Sequence, residues 1–210
     1  GTLVLEDKVS PWYKGLLVFG DMVMVADCIT GYVQLFRRHD GKYLATSHKL
    51  DSPCGIFHIN ETEIGVILMN NKIKFLSVQC IGDLGIITLV RTLTLNTGFV
   101  VCHAAVKFMD TLVVSGDKKD AMCWCIVSLN DGHVGAIYQI CKGHGQSYLV
   151  IRDNMSYISC QAGLFSPLTG LWAYDIWNPS SYKFVYTHND LKLPSGVTVD
   201  TQGFIFVCNE

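Results

Sequence analysis

The residues in this 210-residue chain best suited to chemistry are its nine cysteines and seven histidines. Two places bring thiol and imidazole close together in sequence: Cys102 beside His103, and Cys141 shortly before His144. Such a pair can act as a nucleophile with its base, or as two ligands of a metal. Adjacent residues on a strand face opposite ways, however, so Cys102 and His103 are badly placed to serve one site. No Cys-x-x-Cys pair occurs, and an odd number of cysteines fits poorly with a disulfide framework. The stretch "KGHGQS" offers glycines at 143 and 145 in the manner of a phosphate loop, but Tyr148 stands where a third is needed. The sequence thus assigns no catalytic residue, no cofactor and no metal, and the chain is read as not an enzyme. The cysteines sit mostly in apolar runs such as "FVVCHAAV", "AMCWCIV" and "FIFVCN". A free thiol packs there as a small hydrophobe. That usage suits a reducing compartment, and the expected location is cytoplasmic.

Exposed charge supports binding instead. The segments "GDKKDA", "CKGHGQ" and "KLDSP" carry Lys118, Lys119, Lys142 and Lys49, and are expected to share one face. Asp117, Asp120 and Asp51 lie among them and offset much of the positive charge. Phe165, in "QAGLFSPLTG", is an aromatic in a long loop and a candidate anchor for a peptide. The candidate partner-binding residues are therefore Lys118, Lys119, Lys142, His144 and Phe165. Net charge is -2, and no run of Lys or Arg exceeds two, so a strong nucleic-acid or membrane footprint is lacking. No uninterrupted apolar run of 18 residues marks a membrane helix. A protein partner is predicted, with RNA bound through the same lysines as the alternative.

The elements that position these residues follow from a repeat. Half of the residues are hydrophobic and 16% are charged, which is ample for a packed core. Five apolar runs end alike, "MVMVAD", "IGVILMN", "TLVVSGD", "MSYISCQ" and "FIFVCN", at Asp27, Asn70, Asp117, Gln161 and Asn209. Their spacing is about 45 residues, the range of a propeller blade. Each has an apolar run before it, across a turn rich in Gly, Asp or Asn, which reads as a hairpin. Two further strands follow the first four of them, for example "YVQLFR" and "KYLATSHKL". The prediction is all-β: a β-propeller of four-stranded antiparallel blades at 14–50, 53–95, 100–140 and 146–188, then the first half of a blade at 194–210. Residues 1–210 are read as one incomplete propeller domain of about four and a half blades. The two innermost strands of each blade are expected to be almost wholly apolar, and the outer ones to alternate. Cys54, Cys102, Ser147 and Ser195 fall at inner strand ends, where a calcium-dependent channel enzyme would need hard oxygen ligands.

The segment "PSGVTVDTQGFIFVCN" resembles an NHL repeat through Pro194, Gly196, Val197, Val199, Asp200, Gly203, Ile205 and Val207. "SPCGIFHINETEIGVIL" matches more loosely through Pro53, Gly55, Ile56 and Val66. With "PWYKGLLVFGDMVMVAD" and "NNKIKFLSV", the chain is similar to the divergent propellers at the C-terminal end of tripartite-motif-like proteins of bivalves and other invertebrates. That resemblance implies a six-bladed ring in a parent protein, about 60 residues longer at about 45 per blade. It also implies a role in choosing a partner or substrate, for a ubiquitin ligase or scaffold. Any ligase activity belongs to a RING outside these residues, and any oligomer to a coiled coil outside them. Some propellers of this family bind RNA.

Overall fold

The computed structural model describes residues 11–142, 145, 147–160, 169–180, 182–188, 191–192 and 194–209, of which 182–185 are described by backbone alone. Every regular element among them is a β-strand. No helix among them is long and apolar enough to cross a membrane. The chain divides into two compact units, Gly1–Leu95 and Asn96–Glu210.

The first unit holds two four-stranded sheets. One runs β1 (Tyr13–Phe19), β2 (Met22–Asp27), β3 (Tyr32–Arg37) and β4 (Tyr43–Thr46), in that spatial order. The other runs β5 (Pro53–Asn60), β6 (Glu63–Leu68), β7 (Lys72–Ile81) and β8 (Leu84–Thr94). All pairings are antiparallel. Side chains on a strand alternate between its faces, so residues two apart line one side. Met24 and Ala26 of β2, with Val33 and Leu35 of β3, thus form one apolar surface. It packs with Ile64, Val66 and Leu68 of β6 and Leu76 and Val78 of β7. Each large aliphatic side chain buried there contributes about 1.5–3 kcal/mol.

The second unit repeats the plan. One sheet runs β9 (Val101–Phe108), β10 (Thr111–Lys118), β11 (Ala121–Ser128) and β12 (Val134–Lys142). The next runs β13 (Ser147–Arg152), β14 (Met155–Cys160), β15 (Gly170–Asp175) and β16 (Tyr182–Tyr186). A two-stranded sheet, β17 (Pro194–Val199) and β18 (Ile205–Asn209), follows. Trp124 of β11 is fully buried at the centre, against Tyr138 and Tyr174 at ring separations of 4.9 and 5.5 Å. The β13–β14 turn puts Asp153 and Asn154 at φ 48° and 65°. Asp and Asn tolerate this left-handed region better than most residues, and it matches the twist of a two-residue hairpin.

Two of the polar residues that close the repeats, Asp27 and Asn209, have a structural task. Asp27 Oδ1 accepts from the backbone N–H of Trp12 at 3.1 Å, just before β1. Asn209 Oδ1 accepts from the N–H of Lys192 at 2.8 Å, just before β17. In each case the end of a second strand fastens the segment that leads into the first. Arg152 extends the same economy between sheets, donating to the carbonyls of Asp200 and Thr201 in the β17–β18 turn.

The first strand of a blade is not uniformly buried: Leu16 and Val18 of β1 are 68% and 49% exposed. The second strands carry the buried runs instead, as in Leu112–Asp117 of β10. In β1 the exposure alternates: Leu16 and Val18 share one face, while Leu17 and Phe19 on the other pack into the core.

Candidate functional site

Lys118, Lys119 and Lys142 meet around one open groove of about 610 Å³, together with Asp120, Ala121, Cys123, Ile137 and Gln139. The sheet register places them. Lys118 pairs with Ala121, and Ala121 with Lys142, so the three lie in one row across β10, β11 and β12. With strands about 4.8 Å apart, the two lysines flank the small Ala121 with their backbones about 10 Å from each other. Lys119 sits in the two-residue turn between β10 and β11, in the left-handed region at φ 53°.

Lys142 reaches this face because of a β-bulge. Cys123 pairs with Gln139, but Met122 pairs with Cys141, which leaves Ile140 as an extra residue in β12. An extra residue reverses the facing of everything after it. Ile137 and Gln139 line the groove, and beyond the bulge so does Lys142, while Cys141 turns into the core beside Met122. Without the bulge, strict alternation would send Cys141 to the groove and Lys142 inward.

The balance of charge is more positive than the sequence suggests. Asp117 does not face outward with the lysines. It is 8% exposed and its Oδ1 lies 3.4 Å from His103 Nε2. Among the described residues, Asp120 is the one acid that remains at the groove with three lysines. Ile137 supplies an apolar wall, and the Gln139 amide both donates and accepts. Such a surface suits a short segment carrying carboxylates and one or two apolar side chains. Lys119 belongs to a turn, whereas Lys118 and Lys142 end strands rather than lie in loops. His144 and Phe165 lie outside the described residues. Lys49 belongs to the first unit, where its aliphatic stem lies beside Gly31.

The thiols read earlier as core hydrophobes divide into groups. Cys28, Cys102, Cys123, Cys125, Cys141 and Cys160 are buried, Cys54 is half-buried, and Cys80 and Cys208 are exposed. Burial pushes the thiol of Cys102 up to about 12, with Cys125 adding to it, and burial pushes Cys125 to about 12 as well. Both stay protonated at neutral pH and are poor nucleophiles. Cys123, at the groove, is also raised by burial, against the pull of the Lys118 ammonium. Ser147, at an inner strand end, is buried and its hydroxyl lies 3.0 Å from that of Ser115.

Sequence reasoning missed Ile137, Gln139 and Cys123 as neighbours of the lysines. Alternation along "AMC" and "AIYQ" held part of that signal, but the partner register was needed to read it. It also missed the approach of Cys141 to Cys160, which comes from two different sheets.

No family model and no curated protein sequence matches the chain. Solved structures do match. A chain of the nidogen/laminin complex is 14% identical with a TM-score of 0.70, over 95% of this chain and 72% of that one. Hydrazine synthase of Kuenenia stuttgartiensis is 14% identical with a TM-score of 0.69, over 93% and 61%. The WD40 β-propeller domain of Doa1 is 12% identical with a TM-score of 0.68, over 92% and 59%. This chain therefore spans about three fifths to three quarters of their lengths. At such identities the likeness bears on fold alone, since one fold serves many functions. The chain is an all-β propeller of four-stranded antiparallel blades, with four such blades and two strands of another among the described residues.

Proposed function

We propose that this chain is a non-catalytic protein-recognition propeller, and that the groove between Lys118, Lys119 and Lys142 takes an acidic peptide segment of its partner. The observation that carries this is the row Lys118–Ala121–Lys142, which sets two cations on either side of a small residue with a third in the adjoining turn. Its wider setting is the partner-choosing domain of a cytoplasmic tripartite-motif-like ubiquitin ligase or scaffold. The NHL-like residues from Pro194 to Val207 support that setting. The non-catalytic reading is supported by the burial that keeps Cys102 and Cys125 protonated. RNA is the competing ligand, because lysines also meet phosphates. It is disfavoured by the few uncompensated cations, since non-specific affinity grows with the number of phosphates neutralised.

Fluorescence anisotropy tests this with a fluorescein-labelled peptide of alternating Glu and Leu, its Gln–Leu counterpart, and single-stranded RNA of equal length. Binding of the acidic peptide alone is expected. Lys118→Ala and Lys142→Ala should each weaken it about three- to fivefold, the worth of one exposed ion pair. Equal binding of the Gln–Leu peptide, or tighter binding of the RNA lost in Lys118→Ala/Lys119→Ala/Lys142→Ala, refutes the assignment.

A further inference from the structure

Away from the groove, two reactive groups lie in unusual proximity. The sulfur atoms of Cys141 in β12 and Cys160 in β14 are 2.8 Å apart. Heavy atoms in ordinary packing rest about 3.5–4.0 Å apart. A disulfide has an S–S distance of about 2.0 Å, so bond formation brings the two sulfurs closer by under 1 Å. The two residues belong to adjacent sheets of one unit and share a buried apolar cluster with Met122, Trp124 and Trp172. Met122 Sδ lies 3.9 Å from Cys160 Sγ.

We propose that Cys141 and Cys160 are a redox-active pair, joined by a peroxide into a disulfide that links the third and fourth sheets of the chain. The two thiols are not equivalent. The contact with Cys160 lowers Cys141 below its ordinary value against the effects of burial and of the nearby Asp117, while the same contact, burial and Asp117 raise Cys160. Cys141, which retains 3% exposure where Cys160 has none, is the sulfur that meets the oxidant and attacks. Its thiolate takes one oxygen of hydrogen peroxide, the O–O bond breaks, and the departing hydroxide leaves as water with the proton Cys141 gave up. The resulting sulfenic acid is attacked by Cys160 sulfur. The S–O bond breaks, the S–S bond forms, and hydroxide leaves as a second water with the Cys160 proton. Two thiols lose two electrons in all and one peroxide gains them. Cys102 and Cys125 are held protonated in the same unit and do not compete. This pairing stands whatever the groove binds.

The test uses the full chain. The exposed Cys80 and Cys208 are first blocked with N-ethylmaleimide on the folded protein. One portion is then treated with hydrogen peroxide. A second is unfolded and refolded in a glutathione redox buffer, which removes any barrier of access. Both are denatured, labelled and digested with trypsin. The expected product joins residues 120–142 to residues 153–183, with about 2 Da lost, and fragmentation places the bond at Cys141 and Cys160. Cys141→Ser and Cys160→Ser should each abolish it. Free, labelled Cys141 and Cys160 in both portions would overturn the proposal, as would a bond from Cys160 to Cys123 or Cys125.

Discussion

Replacing Gly65 by alanine probes the packing of a blade with the smallest perturbation available. Gly65 of β6 pairs directly with Phe57 of β5, and Phe57 is 4% exposed. The ring lies across the glycine. A Cβ added at Gly65 would overlap the ring's Cζ and lie 2.6 Å from both Cε atoms, inside the 3.0 Å that real Cβ contacts respect. The obstacle is a flat ring held in a core, with no free end to swing aside. Overpacking of this kind costs about 1–3 kcal/mol. Alanine returns about 0.5–1 kcal/mol by restricting the unfolded chain. At the upper part of that range, Gly65→Ala destabilises by about 2 kcal/mol and lowers Tm by about 4–8 °C for a chain of this size. Circular dichroism melts measure it. The second half of the experiment is Phe57→Leu, which opens the space the methyl needs. The double variant should be more stable than the sum of the two single losses by about 1 kcal/mol, as expected for residues in contact. If Gly65→Ala melts at or above the parent, or if the two losses simply add, the ring does not lie over the glycine as described.

Two further outcomes bear on the turns. Asp27 is pushed up by burial, but the Thr30 hydroxyl at 2.7 Å and the N–H groups of Trp12, Ile29 and Thr30 outweigh this and hold its carboxyl below 3.8. A carboxyl depressed by folding contributes stability above its unfolded value, lost as pH falls through its folded one. Asp27→Asn should therefore cost roughly 1–2 kcal/mol at pH 7 and much less near pH 3, and melts that show the same cost at both pH values count against it. Lys119, left-handed at φ 53°, carries strain of about 1–2 kcal/mol that glycine would relieve, less about 0.5–1 kcal/mol of added unfolded-chain entropy. Lys119→Gly should thus raise Tm by a few degrees while weakening the acidic peptide, and a lower Tm would show that the turn is unstrained.

The propeller fold was legible because its signals are local. A run such as "TLVVSGD", a turn such as Asp153-Asn154 and a spacing of about 45 residues each repeat along the chain. The lysines were legible as a cluster because hairpin ends carry them. What stayed hidden depends on partners. Asp117 read as a surface acid beside Lys118, yet β10 is a middle strand and its side chain turns inward to His103. The exposure of Leu16 reflects which face of β1 is covered, which composition does not encode. The bulge at Ile140 has no signature in "YQICK", since an extra residue exists only relative to the neighbouring strand.

That bulge links the two chemical features of the second unit. Cys141 and Lys142 are consecutive, so on any strand one must face in and the other out. Regular alternation from Gln139 would put the thiol at the groove and the ammonium in the core, where an unpaired charge is very costly. The extra residue inverts this, placing an ammonium among solvated lysines and a thiol beside Cys160. Met122 and Ala121 on β11 show the same division on the partner strand: Met122 packs with Cys141 and Cys160, and Ala121 leaves room between Lys118 and Lys142. One inserted residue thus fixes the cationic rim and the thiol pair together. A disulfide at Cys141 would hold the strand between the extra residue, Ile140, and the Lys142 that it turns outward.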